Sequence, residues 1–128
     1  MDTSEVKLKH EDEWPLLIKL AEEHSLTSPQ ILFLLALREV ESGTTGNEFN
    51  VKTVQNTSLK EQALWAIGSI RANEKRYQKY LIENSNTPDY VSFFAVLGGP
   101  YGNGYHTKGA TKWALRMREF IKEIGREL

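Results

Sequence analysis

A chain of 128 residues, 40% hydrophobic and without low-complexity tracts, is long enough to bury one core and is read as a single domain over residues 1–128. The absence of cysteine excludes disulfides and thiolate metal sites. With 16 basic and 17 acidic side chains interspersed and a net charge of −1, the average attraction that nucleic-acid or anionic-membrane binding needs is missing, so neither partner is expected.

Met1 to His10 is charged and carries no apolar signal-peptide core. No apolar run approaches the ~20 residues of a membrane span. Trp14-Pro15 opens a helix to about His24, with Leu17, Ile18, Leu20 and Ala21 on its apolar side. Ser28-Pro29 reads as N-cap and N1 of a central helix through the apolar run Ile31 to Val40, with Arg38 or Glu39 snorkelling and Gly43 as C-cap. A polar loop, 43 to 57, leads to a capping-box pattern at Ser58-Leu59-Lys60-Glu61. The helix it opens carries Ala63, Ala66, Ile67 and Ile70 and runs toward Tyr77 and Leu81. Trp65 and Tyr77 fall on its stripes and read as core.

Asn84 to Pro88 is a break, and Asp89 to Leu97, with Val91, Phe93, Phe94 and Val96, suits a short helix or a strand. A glycine-rich turn, Gly98 to Gly109, precedes a last helix from about Thr111 to Glu127, with Trp113, Met117, Phe120, Ile121 and Ile124 at helical spacing. The fold class is therefore all-α, with two long loops, 43 to 57 and 98 to 110, lining a cleft.

Glu41 ends the buried helix. Apolar walls and the negative end of the helix dipole both disfavour its charged form, which suits a general acid, whereas a solvated last-turn glutamate is the plainer alternative. Glu39 lies roughly 200° around the same helix, so both cannot enter one pocket. A second carboxylate would come from Glu48, Glu61 or Asp89, with Glu61 also explained by the capping box. His10, His24 and His106 form no i, i+4 pair and no carboxylate cluster, so no metal and no cofactor are expected. Residues 99–108 contain no phosphate-loop ending. Lys108, Lys112, Arg116 and Arg118 read as a solvated helix face. A helix-turn-helix near Ser25 to Pro29 is disfavoured because the helix that follows is too apolar for a groove.

Glu41-Ser42-Gly43 followed by Asn47-x-Phe49-Asn50-Val51-Lys52 resembles the signature of bacterial and phage glucosaminidases, which cleave peptidoglycan on a lysozyme-like fold. Asn50 stands where that family usually has glycine. The resemblance continues through Thr57 to Ala63, Asn73 to Tyr77 and Gly99-Pro100-Tyr101-Gly102, covering roughly residues 15 to 125. Soluble lytic transglycosylases are similar as well, with Glu-Ser at the end of a buried helix, but their Gly-Leu-Met-Gln segment is absent here.

The resemblance implies that Glu41 protonates the leaving oxygen of a β-1,4 bond between N-acetylglucosamine and N-acetylmuramic acid. Glu48 or the substrate's own 2-acetamido oxygen would complete the reaction, and a transglycosylase would use the muramic 6-hydroxyl instead. The family's late tyrosine maps onto Tyr105. Phe49, Asn50, Lys52, Tyr101 and His106 are candidate substrate contacts, although Phe49 equally suits an anchor on the core and Tyr101 a packed turn residue. The partner implied is a glycan strand met by a monomer. Delivery to the wall would come from a phage, a secretion apparatus or a larger protein. A domain that has kept the fold and binds wall without turnover is the alternative of another class.

Overall fold

A computed structural model describes residues 7–84, 89–97 and 107–128. These are helical, with no strand among them: α1 (Trp14–Glu23), α2 (Ser28–Glu41), α3 (Leu59–Glu83), α4 (Tyr90–Leu97) and α5 (Thr107–Glu127), with 3₁₀ turns at Glu11–Glu13 and Lys52–Val54. The segment left open between helix and strand is helix α4, because Phe93 and Phe94 pack as neighbours onto α3 and α2 in a way an alternating strand does not permit.

Helix α2 runs through the core. Phe33 to Leu37 are buried, and α1, α3 and α5 pack around it. Its start differs from the sequence expectation. Thr27, not Ser28, is the N-cap, in a reciprocal box in which the Gln30 N–H donates to Thr27 Oγ1 at 3.3 Å and the Thr27 N–H donates to Gln30 Oε1 at 2.8 Å. At α3 only half of the expected box forms, the Glu61 N–H donating to Ser58 Oγ at 3.1 Å. Helix α5 begins at Thr107, four residues earlier than the glycines suggested.

The C-terminus of α2 is also one residue off expectation. Ser42, not Gly43, takes the left-handed conformation, with φ 45°. Gly43 is needed for space: a Cβ there would stand 1.8 Å from the Asn47 carbonyl oxygen.

Neither charged residue near the end of α2 snorkels; both are buried and bonded inward. Glu39 accepts from the backbone N–H groups of Lys9 (2.9 Å) and His10 (3.0 Å), which fastens the segment before α1 to the core. Arg38 grips Glu13 through Nε (2.6 Å) and Nη2 (3.1 Å), and its Nη1 donates to the carbonyls of Gly43 (3.1 Å) and Glu48 (3.0 Å). The loop after Glu41 is thus held by the helix that carries Glu41.

A second buried polar side chain holds the other half of that loop. Gln62 Oε1 accepts from the N–H groups of Phe49 (3.0 Å) and Val51 (3.2 Å), and its Nε2 donates to the carbonyls of Val51 (3.3 Å) and Val54 (2.9 Å). Replacing Gln62 by Leu leaves the buried N–H groups of Phe49 and Val51 without partners, while the Val51 and Val54 carbonyls keep the Val54 N–H (3.1 Å) and Thr57 Oγ1 (2.6 Å), and each group so stranded costs about 1–3 kcal/mol. A drop in the urea midpoint with an unchanged slope is the expected result.

Candidate active site

Glu41 lies where α2, α5 and the 43–57 loop meet. Trp113 Nε1, 72 residues away on α5, donates to Glu41 Oε2 at 3.0 Å. Asn50 Nδ2 donates to the Glu41 backbone carbonyl at 2.9 Å and reaches Oε1 at 3.4 Å. Trp113 is in turn stacked on the buried Phe94 of α4, with ring centroids 5.9 Å apart and planes 10° from parallel. Burial raises the Glu41 pKa above its ordinary 4.5, opposed by the hydrogen bonds from Trp113 and then Asn50. The carboxyl is therefore desolvated yet fixed in direction, the combination a proton donor to a substrate oxygen needs.

Asn50 has φ 54°, in the left-handed region. That is the conformation glycine and asparagine tolerate best, so asparagine at a position where the resembled family has glycine keeps the turn and adds an amide beside the acid. Ser42, on the other side of Glu41, is 3.3 Å through its Oγ from His10 Nε2.

The other sequence candidates separate. Phe49 is completely buried and belongs to the hydrophobic core, so it anchors the loop and offers no surface to a ligand. Glu48 is also buried. Its Oε2 accepts from the Gly46 N–H at 3.1 Å inside the loop, and no contact joins it to Glu41 among the described residues. Asp89 caps α4, accepting from the Ser92 N–H at 2.9 Å, and pairs with Arg118 at 2.9 and 3.0 Å. The bond from Arg118 holds its carboxyl below the usual range. Lys52 is exposed and, with Asn50, Thr44 and Asn47, lines a small polar depression of about 380 Å³. Tyr101, Tyr105 and His106 lie outside the described residues.

A groove of about 790 Å³ runs along α3, with neither Glu41 nor Asn50 in its lining. Val51 and Thr53 form one side and α3 the other, with Glu61, Trp65, Gly68 and Arg76 along it. Trp65 is 46% exposed, which corrects its reading as a core residue. The buried stripe of α3 is Ala63, Ala66, Ile67, Ile70 and Asn73, and at ~100° per residue position 65 lies well off it. Gly68, one turn further, adds no side chain to the floor. Glu61 is exposed on the groove wall, and its carboxylate has no bonded partner among the described residues. Of the three carboxylates considered as a companion to Glu41, it alone faces this groove.

No family model, curated protein or solved structure matches the chain. No cluster of metal-ligating side chains occurs among the described residues, and no helix there is long and apolar enough to cross a membrane.

Trp113→Phe keeps the ring stack on Phe94 and removes the donor. That bond lowers the Glu41 pKa, so its loss moves the pKa further up. Any activity that requires protonated Glu41 should then persist to higher pH, visible as an upward shift of the alkaline limb of the kcat/KM profile.

Proposed function

We propose that the chain is a glycosidase that cleaves the β-1,4-linked glycan strands of peptidoglycan, with Glu41 as the general acid. The observation that carries this reading is the Glu41 carboxyl itself, desolvated at a helix end and aimed by the Trp113 and Asn50 donors. The groove along α3, which Glu41 itself does not line, offers a surface for a glycan strand. An exposed tryptophan beside a glycine floor suits the flat apolar face of a sugar ring, and Glu61, Ser69 and Arg76 offer polar groups along the same wall. The resemblance of Glu41-Ser42-Gly43 and the Asn47 to Lys52 segment to glucosaminidases points to the same polymer.

No second carboxylate touches Glu41 among the described residues. In a route that uses Glu41 alone, the 2-acetamido oxygen attacks the anomeric carbon as Glu41 gives its proton to the departing oxygen, and the Glu41 carboxylate then takes a proton from the water, or from the muramic 6-hydroxyl, that opens the oxazolinium intermediate.

Digestion of purified peptidoglycan, with released ends reduced by borohydride and read by mass spectrometry, tests this. Reduced N-acetylglucosamine ends identify a glucosaminidase, reduced muramic ends a muramidase and anhydro-muramic ends a lytic transglycosylase. No new ends, on walls that a control enzyme digests, would sink the catalytic reading and leave a wall-binding domain.

Trp65→Ala should weaken binding without touching proton transfer. Loss of a stacking ring, worth about 0.5–1.5 kcal/mol, predicts a KM raised roughly 2- to 10-fold at unchanged kcat.

A further inference from the structure

Around the end of α2 from the Glu41 carboxyl is a second hollow, of about 340 Å³, lined by Lys7, Lys9, Glu39, Val40, Ser42, Arg116 and Phe120. Three cations meet there against one carboxylate, in a chain whose net charge is −1. The carboxylate offsets one of the three and forms no ion pair with them, its two oxygens accepting from the backbone N–H groups of Lys9 and His10. The ion pairs among the described residues use Arg38, Arg118 and Arg126, and none uses Lys7, Lys9 or Arg116. The Arg116 guanidinium is steadied by the Phe120 ring, 5.3 Å below it.

The cations are placed by the fold. Lys7 and Lys9 sit on the segment that Glu39 fastens down, and Arg116 follows Trp113 by one turn of α5. Trp113 holds the Glu41 carboxyl, and Val40 and Ser42, the chain neighbours of Glu41, are both in the wall of the hollow. The hollow is thus on the Glu39 flank of the same helix end, and a branch that reaches it from a bond at Glu41 must round that end, a helix being about 10–12 Å across with its side chains.

We propose that this hollow binds a carboxylate of the stem peptide attached to the muramic sugar, an inference that rests on the glycosidase reading. Every bond between N-acetylglucosamine and N-acetylmuramic acid has a muramic residue on one side. Its lactyl group roots a peptide with free carboxylates, so a strand positioned for cleavage brings an anionic branch to the neighbourhood of Glu41. Lysine and arginine would take that branch by charge-assisted hydrogen bonds. The hollow then selects strands that still carry their peptides over strands that have lost them.

The test compares wild type with Lys9→Gln/Arg116→Gln on stem-bearing strands and on strands stripped of peptide by an amidase. The Lys9 side chain and Arg116 are exposed, so the double variant should fold; its circular dichroism and melting curve verify this. The expected result is a KM on stem-bearing strands raised roughly 5- to 20-fold, as for the loss of one or two part-exposed charge-assisted contacts, with no change on stripped strands. Free stem tetrapeptide should inhibit wild type, and inorganic phosphate at equal concentration should not. Equal kinetics of wild type and variant on both substrates overturn the stem-peptide site and leave the glycosidase reading standing. An equal loss on both also overturns it, since the charges then serve the fold or the acid. Inhibition by phosphate and not by the peptide assigns the hollow to another anion. Release from neither substrate by wild type removes the glycosidase reading and this inference with it.

Discussion

Glu41→Gln should release glycan ends at a rate about 10²- to 10⁴-fold below wild type, the contribution a positioned general acid makes. The amide oxygen still accepts from Trp113, so shape and packing are kept and only the transferable proton is lost. The pH behaviour separates this from a general loss of binding. Burial raises the pKa of Glu41, so the proton donor is present at low pH and disappears as pH rises through the raised value. Wild type should show a falling alkaline limb governed by this group, and the variant's residual rate should lack it.

Stability carries an imprint of the same sign. Folded Glu41 binds its proton more tightly than the unfolded chain does, so folding is favoured by protonation below the raised pKa, and stability falls as pH rises from the ordinary 4.5 through that value. The variant has no such slope and at neutral pH should melt no lower than wild type. Melting curves across that interval read the difference directly; a variant with full activity and an unaltered pH limb would remove Glu41 from the chemistry.

Arg38→Met is expected to be the most damaging change to the fold. Arg38 is 4% exposed and makes four bonds, two to the Glu13 carboxylate and two to carbonyls of the loop. Its removal strands a part-buried carboxylate and the Gly43 carbonyl, while the Glu48 carbonyl keeps the Gly43 N–H at 3.1 Å. Breaking one side of such a pair costs about 3–5 kcal/mol, against a total stability of about 5–15 kcal/mol for a domain. A melting temperature lower by roughly 10–20 °C follows.

A double variant, Arg38→Met with Glu13→Leu, should recover part of the loss, because the stranded charge goes with its partner. If Arg38→Met melts with wild type, the buried network is not what holds the loop.

The extent to which these features could be read from the residues depends on distance along the chain. Helix α2 and the apolar stripe of α5 are local patterns and are found where periodicity places them. Glu41 and Asn50 stand nine residues apart within one motif, and the structure brings them together. The bond from Trp113 to Glu41, the fourfold use of Gln62 and the inward turn of Arg38 join residues that no local rule connects. They follow from packing. A glutamine with a glutamate beside it, in the first turn of a helix, reads as solvated, and only the loop lying over α3 gives Gln62 its partners.

The errors have similar causes. Glu48 is in the loop that follows the acid, but Arg38 and Gln62 pull the loop inward at that point, so it is buried, as is Phe49, whose reading as an anchor on the core holds. The N-cap moved to Thr27 because Gln30 can close a box with it and Pro29 is tolerated anywhere in the first turn. Ser42 takes the left-handed position, and the glycine beside it serves the close approach of the Asn47 carbonyl.

The 72-residue span from Glu41 to Trp113 also has a meaning in time. During synthesis α2 leaves the ribosome long before α5, and until α5 docks nothing donates to Oε2 and less of the carboxyl is withdrawn from water. A nascent chain that ends short of Trp113 therefore carries Glu41 without that donor and less buried. The surroundings that raise its pKa and fix its direction are complete only once the last helix has docked.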